Sequence, residues 1–177
     1  KGLMIVELAP HNPLWSKQFE VEAAKLLEAL GGWAWDGGNV FILEHIGSSS
    51  IPDIVSKSCI DIAIGVHPFP LAEKFIQSLQ NLGYIYRGEN GINGRQYFQR
   101  GPHDVHVHIY EVGHEDISKY ILFRDYLRFD RSARERYQAL KLELAETSDS
   151  RAAYSDGKGE LVKTLLREAQ HWYANEI

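Results

Sequence analysis

Two β-type runs joined through a glycine-serine turn constrain this chain more than any other feature. Val40-Phe41-Ile42-Leu43 lies between Gly37-Gly38 and the segment Glu44-His45-Ile46-Gly47-Ser48-Ser49-Ser50-Ile51-Pro52, and Ile60-Asp61-Ile62-Ala63-Ile64 follows. Apolar, β-branched runs between turn formers read as strands. The two-residue period puts Ile60, Ile62, Ile64 and Val66 on one face and Cys59, Asp61, Ala63 and Gly65 on the other. Asp61 is therefore presented from a face of small residues, where a ligand fits. Gly47 permits close backbone approach, and the N–H groups and hydroxyls of Ser48, Ser49 and Ser50 are donors for phosphate oxygens. Together these residues predict phosphate and metal geometry. Of the adjacent Glu44 and His45, at most one reaches the same cleft without a bulge.

The flanking segments predict what covers such a sheet. Asn12-Pro13 is a helix start, and Trp15, Phe19, Ala23, Leu26, Leu27 and Leu30 recur at helical spacing until Gly31-Gly32. His67-Pro68-Phe69-Pro70 is a break, after which 71–82 reads as a second helix ended by Gly83. Three short strands are expected over 84–87, 95–100 and 105–110, with 88–94 as a hairpin loop or flap. From Asp116 onward the pattern is helical, with breaks near Arg131-Ser132 and Ser148-Asp149-Ser150. A chain of 177 residues that is 44% hydrophobic builds one substantial core. One domain over 1–177 is expected, with an α/β core over 1–115 and a helical segment over 116–177 closing the cleft.

Charge and cysteine content narrow the function classes. A formal charge of -5 argues against a dedicated nucleic-acid binder, whose footprint is usually basic. The single cysteine, Cys59, has no intrachain partner, fits a reducing cytoplasm and is expected to pack in its strand. No apolar run approaches the roughly 20 residues that span a bilayer, and no signal-peptide pattern is present, so neither membrane nor secretion is expected.

Candidate chemistry gathers around Asp61. In Asp104-Val105-His106-Val107-His108-Ile109-Tyr110 the alternation places Asp104, His106, His108 and Tyr110 opposite the apolar residues. Two histidines so spaced converge on an ion or a phosphate, or simply hydrogen-bond to neighbours at a half-exposed strand. Arg124 and Arg128, at an i,i+4 interval on the mostly apolar helix expected over 117–129, need anionic partners: a phosphate or nearby carboxylates such as Asp125 and Asp130. Arg131, Arg134 and Arg136 are interleaved with carboxylates and read as a solvated face. Lys57 is a phosphate neutraliser or an ordinary loop lysine, and Lys158, four residues after Tyr154, lines the site or a helix surface. Trp15, Trp33, Trp35 and Trp172 are read as core or interface anchors. The sequence has no GxxxxGK[ST] loop, GxGxxG turn, HExxH or GxSxG elbow.

The Gly-Ser turn followed by a strand carboxylate resembles the nucleotidyltransferase superfamily, in which the turn holds a triphosphate and a carboxylate pair binds magnesium. The segments EHIGSSSIP, KSCIDI, HVHIY, FRDYLR, YQALK and YxxxK, in this order over most of the chain, are similar to the bacterial GrpB (glutamate-rich protein B) family. The resemblance implies an α/β (α+β) nucleotidyltransferase-like fold, a mixed sheet of about five strands with flanking helices and a helical carboxyl-terminal segment. It also implies a module sometimes fused to dephospho-coenzyme A kinase, and it brings no established reaction. The chain departs from both patterns. Ala63 stands where a nucleotidyltransferase has its second carboxylate, Ile51-Pro52-Asp53-Ile54 replaces Val-Pro-Gly-Leu, and Ser56-Lys57-Ser58 replaces Ala-Lys-Pro. Asp53 is then a turn former or a relocated ligand.

These readings lead to a protein that binds a nucleotide or another phosphorylated small molecule. Gly47, Ser48, Ser49, Lys57, Arg124, Arg128 and Lys158 are expected around phosphate, with Asp61 as the catalytic carboxylate. Asp61, His106 and His108 are expected to hold Mg2+ or Mn2+, or Zn2+ at the histidine pair, for nucleotidyl transfer. The alternatives are a non-catalytic ligand-binding or kinase-associated module and a mononuclear metal hydrolase built on His106, His108 and Asp61.

Overall fold

The computed structural model describes residues 6–31, 40–101 and 104–176. Helix α1 (Leu14–Ala29) opens where Asn12 Oδ1 accepts the Leu14 N–H at 3.0 Å. It buries Trp15, Ala23 and Leu26, so the face read from the sequence is the face that packs. Of the tryptophans, Trp15 is a core residue and Trp172 a partly buried one, while Trp33, Trp35 and the Gly37-Gly38 pair lie outside the described residues.

Strands β1 (Val40–Ile46) and β2 (Ile60–Val66) run antiparallel and are linked through a 3-10 turn at Ser48–Ser50. A second 3-10 turn (Phe69–Lys74) precedes α2 (Phe75–Asn81). The helix expected over 71–82 thus begins later, because Pro68 and Pro70 lack N–H donors and the chain is held in the tighter turn. Strands β3 (Ile85–Tyr86), β4 (Arg95–Arg100) and β5 (Val105–Glu111) complete a sheet of order β1-β2-β5-β4-β3. β2 pairs with β5 in parallel and the other pairs are antiparallel, so 88–94 is a hairpin loop.

The two faces of the sheet have different tasks. Ile60, Ile62, Ile64, Val66, Val105, Val107, Ile109 and Phe98 form one core with α1 and α2. The other face carries Asp61, His106 and His108 and is covered by α3 (Glu115–Phe129). Gly65 admits that cover, since a Cβ there would stand 3.2 Å from Ile117.

Behind α3 lie α4 (Arg131–Thr147), α5 (Arg151–Gly157) and α6 (Gly159–Glu176). The break expected at Arg131-Ser132 falls at Asp130, whose carboxylate caps α4 by accepting the Ala133 N–H at 2.7 Å. Ser150 caps α5 in the same way through Ala153. An unanticipated break at Lys158 separates α5 from α6, and Gly157 lets α5 approach α4 so closely that a Cβ would meet Leu144 at 2.6 Å. A second core joins Leu127, Ala133, Tyr137, Leu165 and Ala169 to Ile51 and Ile54, fastening the helices to the loop after the Gly-Ser turn.

One buried polar cluster was not foreseen. Glu22 in α1 is 4% exposed, accepts from Tyr84 Oη at 2.6 Å and takes a two-pronged contact from Arg100 at 2.6 and 2.8 Å. It ties α1 to β4 and to the residue that leads into β3. Among the described residues no helix is long and apolar enough to cross a membrane.

Candidate functional site

The β2–β5 pairing assembles the centre of the site, because parallel registration sets Asp61 beside His106 and Ala63 beside His108. All four therefore share one sheet face, as the alternation predicts. His108 Nε2 lies 3.2 Å and His106 Nδ1 3.4 Å from Asp61 Oδ1. Burial by itself raises the Asp61 pKa, but the polar contacts of His106 and His108 outweigh it and hold the carboxyl well below the usual carboxylate range.

Gly47 sits directly against this carboxylate. Its φ of 73° and ψ of -176° are open essentially to glycine alone, and a Cβ would stand 2.8 Å from Asp61 Oδ2. The turn therefore serves the acid as a close backbone wall. Ser48 faces the site and hydrogen-bonds Tyr137. Ser49 points away to His45, Oγ to Nε2 3.0 Å, and Ser50 folds back on the Gly47 carbonyl.

Asp61 opens onto a pocket of about 140 Å³ lined also by Ser48, Ser56, Lys57, Cys59, His106, Lys141, Tyr154 and Lys158. Three amines meet here. Lys57 and Lys158 stand over the Tyr154 ring at 5.2 and 4.5 Å, and Lys141 donates to the Val55 carbonyl from a position only 2% exposed. Burial pushes all three amine pKa values down, Lys141 to about 7 and Lys158 to about 8, with the neighbouring lysines adding to the effect on those two. Among the described residues none of the three pairs with a carboxylate. Such a pocket is electropositive and polar.

A chain of donors holds the acid from behind. Arg95, 6% exposed, anchors on the Glu89 and Asn90 carbonyls and points Nη1 at His108 Nδ1, 3.3 Å away. A guanidinium only donates, so Nδ1 of His108 accepts and the ring proton sits on Nε2, facing Asp61. Both nitrogens of His108 are thereby engaged.

The structure thus brings together Gly47, Ser48, Lys57, Asp61, His106 and Lys158 from the expected set, with His108 behind Asp61. It does not bring Ser49, Arg124 or Arg128 to the pocket. Arg124 is spent on Glu44 at 2.6 Å, Asp125 at 2.7 Å and the His45 carbonyl at 2.9 Å, and Arg128 Nε donates to the Ser50 carbonyl at 2.9 Å. Both arginines clamp α3 to β1 and the Gly-Ser turn. Glu44 shares the face of Ala63 through the β1–β2 register, whereas His45 takes the opposite face and stacks on Phe19. Burial pushes the His45 pKa down to about 4. Asp53, at φ 62°, is an exposed turn residue.

Sequence reasoning missed Lys141, Cys59, Tyr154 and Arg95 as parts of the site. The signal for Lys141 was present: Ala133, Tyr137 and Lys141 recur every four residues on one helical stripe, and a lysine in that stripe is out of place unless it serves a cavity.

Against known proteins, the chain matches the GrpB protein family over residues 5–168. It is 37% identical over 170 residues to the UPF0157 protein YqkA of Bacillus subtilis, a match covering 94% of this chain and 48% of that protein. The chain thus spans about half the length of that relative. It is 28% identical over 176 residues to glutamate-rich protein GrpB of Alkalihalophilus pseudofirmus, covering 95% and 97% of the two chains. The crystal structure of conserved protein GrpB from Enterococcus faecalis matches with a TM-score of 0.85 at 33% identity, over 94% of this chain and 99% of that one. By a family match that runs through nearly the whole sequence and a solved relative of the same fold, the chain belongs to the GrpB family.

Proposed function

We propose that this chain binds a phosphorylated small molecule, nucleotides included, with the phosphoryl group seated among Lys57, Lys141 and Lys158 beside Asp61. The observation that carries this reading is the meeting, at one small pocket, of three amines that have no carboxylate partner among the described residues. One carboxylate faces three amines, so the pocket favours an anion. An ammonium as buried as that of Lys141 costs free energy unless a counter-charge joins it, and a phosphate dianion supplies one. The pocket's volume is below the roughly 300–1,000 Å³ of sites that enclose a drug-sized ligand. It suits a phosphoryl head, with the remainder of the ligand lying outside.

A nucleotidyltransferase-like reading is supported by the Gly-Ser turn followed by a strand carboxylate, with Mg2+ or Mn2+ on Asp61. Transfer by two metals asks for a second bridging carboxylate. Ala63 is fully buried at that position, and the neighbouring Glu44 is engaged by Arg124. The residues present therefore favour phosphate binding over nucleotidyl transfer, alone or as a module beside a kinase.

Calorimetry with inorganic phosphate, AMP and ATP tests the proposal. Wild type is expected to bind all three, and Lys141→Met or Lys158→Gln to weaken each about tenfold or more, as fits a charge-assisted contact of roughly 1.5–3 kcal/mol. Absence of phosphate binding by wild type, or equal affinities in the lysine variants, would refute it.

A further inference from the structure

We infer that Cys59, Asp61 and His106 form a mononuclear site for a borderline-soft divalent cation of the zinc class, in which His108 positions Asp61 without itself ligating. The inference does not rest on phosphate binding. One ligand atom from each of the three residues lies within 4.8 Å of the others. Thiolate, carboxylate and imidazole are the donor types of zinc and its neighbours, whereas magnesium prefers oxygen donors in octahedral array.

The geometry around Asp61 sorts the two histidines. Zinc bond lengths of about 2.1 Å to nitrogen and oxygen put tetrahedral ligands roughly 3.4 Å apart. His106 Nδ1 stands 3.4 Å from Asp61 Oδ1, a long contact for a hydrogen bond and a suitable edge for two ligands of one ion. The other ring nitrogen, Nε2, is buried without a hydrogen-bond partner. The His106 ring is held by packing against Tyr97, centroids 5.5 Å apart, and with the ring proton on Nε2 the Nδ1 lone pair is available to a cation beside Asp61 Oδ1. His108 differs. Its Nδ1 accepts from Arg95 and its Nε2–H donates to Asp61, so it has no free lone pair. It stands where the outer partner of a ligating carboxylate belongs.

Cys59 precedes Asp61 by two residues and so shares its face, which converts a lone buried thiol into the third corner of the cluster. On binding, the thiol gives its proton to solvent and the sulfur bonds the ion. Thiolate and carboxylate together neutralise a dication. Three protein ligands leave a fourth position for water or a ligand oxygen, and Lys57, Lys141 and Lys158 line the pocket beside it.

Cobalt(II) reports this geometry directly, because it replaces zinc and its spectrum reads both coordination number and thiolate ligation. Titrated into the metal-free full chain in phosphate-free buffer, Co2+ is expected to bind once per chain. It should give intense tetrahedral visible bands and a near-ultraviolet thiolate band, and excess Mg2+ should not displace it. Cys59→Ser should lose the thiolate band, and His106→Gln should weaken binding about tenfold or more and distort the visible bands. His108→Gln should keep both spectral features at saturation, and circular dichroism should confirm that every variant is folded. A Co2+ spectrum without the thiolate band, a band that survives Cys59→Ser, displacement by Mg2+, or no binding would each overturn the site. Lys141→Met should leave the cobalt spectrum unchanged while phosphate binding falls, so failure of one proposal is read apart from failure of the other.

Discussion

Replacing Gly47 by alanine tests how the turn supports Asp61. Two costs add. The residue sits at φ 73° and ψ -176°, where a side chain costs about 1–3 kcal/mol in backbone strain. Its new Cβ would also stand 2.8 Å from Asp61 Oδ2, so the carboxylate must shift, at the roughly 1–3 kcal/mol typical of overpacking. The sum is about 2–6 kcal/mol, a large share of the roughly 5–15 kcal/mol that holds a domain together. Urea unfolding followed by tryptophan fluorescence would register a midpoint lowered by roughly 1–3 M, given slopes near 1–3 kcal/mol/M. The two terms are separable in a double-mutant cycle with Asp61→Ala, which removes the close contact and leaves the strain. A coupling of about 1–3 kcal/mol in favour of the double variant is expected. A Gly47→Ala protein within about 0.5 kcal/mol of wild type, or a cycle without coupling, would refute this account of the turn.

Four further outcomes follow from other parts of the structure. Glu22→Ala strands Arg100 and the Tyr84 hydroxyl and should cost about 3–5 kcal/mol in chemical denaturation; little loss would mean the cluster contributes nothing net. Burial raises the Glu22 pKa, yet its contacts with Arg100 and Tyr84 bring it below the ordinary 4.5. Its contribution is therefore complete above 4.5 and lost as acid carries the pH down through the lower folded value, and Glu22→Ala should flatten that acid limb. Lys141 gives the same sign of slope in a higher window, because a lowered amine pKa penalises its ammonium in the folded state: with a folded pKa near 7 against 10.5, wild-type stability should rise with pH across that window, and a Lys141→Met protein whose stability keeps the same rise would refute the assignment. Finally, the chain is proposed to fold as one domain, so truncation after Glu115 should expose the sheet face that α3 covers and give an aggregating fragment; a soluble, cooperatively unfolding fragment would contradict that.

What the sequence disclosed was mainly what local periodicity controls. The alternation put Asp61 on the small-residue face of β2 and His106 and His108 together on one face of β5, and the apolar spacing of α1 marked its buried side. Contacts between residues far apart in sequence carried no such signal. Arg124 meets Glu44 across 80 residues, so its local surroundings could not show that the guanidinium clamps α3 to β1. Glu22 and Arg100 find each other across 78 residues in the same way. The role of His108 depends on which of its nitrogens Arg95 addresses, a matter of registry between β4 and β5 and of the hairpin loop that holds Arg95. Lys141 was the legible residue passed over, because a lysine in a long charged helix reads as solvated until the stripe it shares with Ala133 and Tyr137 is followed.

The central claim is that the three lysines form an anion site, and a tetrahedral oxyanion that scatters anomalously locates one without knowledge of the natural ligand. Crystals of the full chain soaked in tungstate should show one strong anomalous peak between Lys57, Lys141 and Lys158 beside Asp61, displaced by added phosphate and absent in Lys141→Met crystals. A peak elsewhere on the chain with none in this pocket, or a pocket peak that persists unchanged in Lys141→Met, would contradict it.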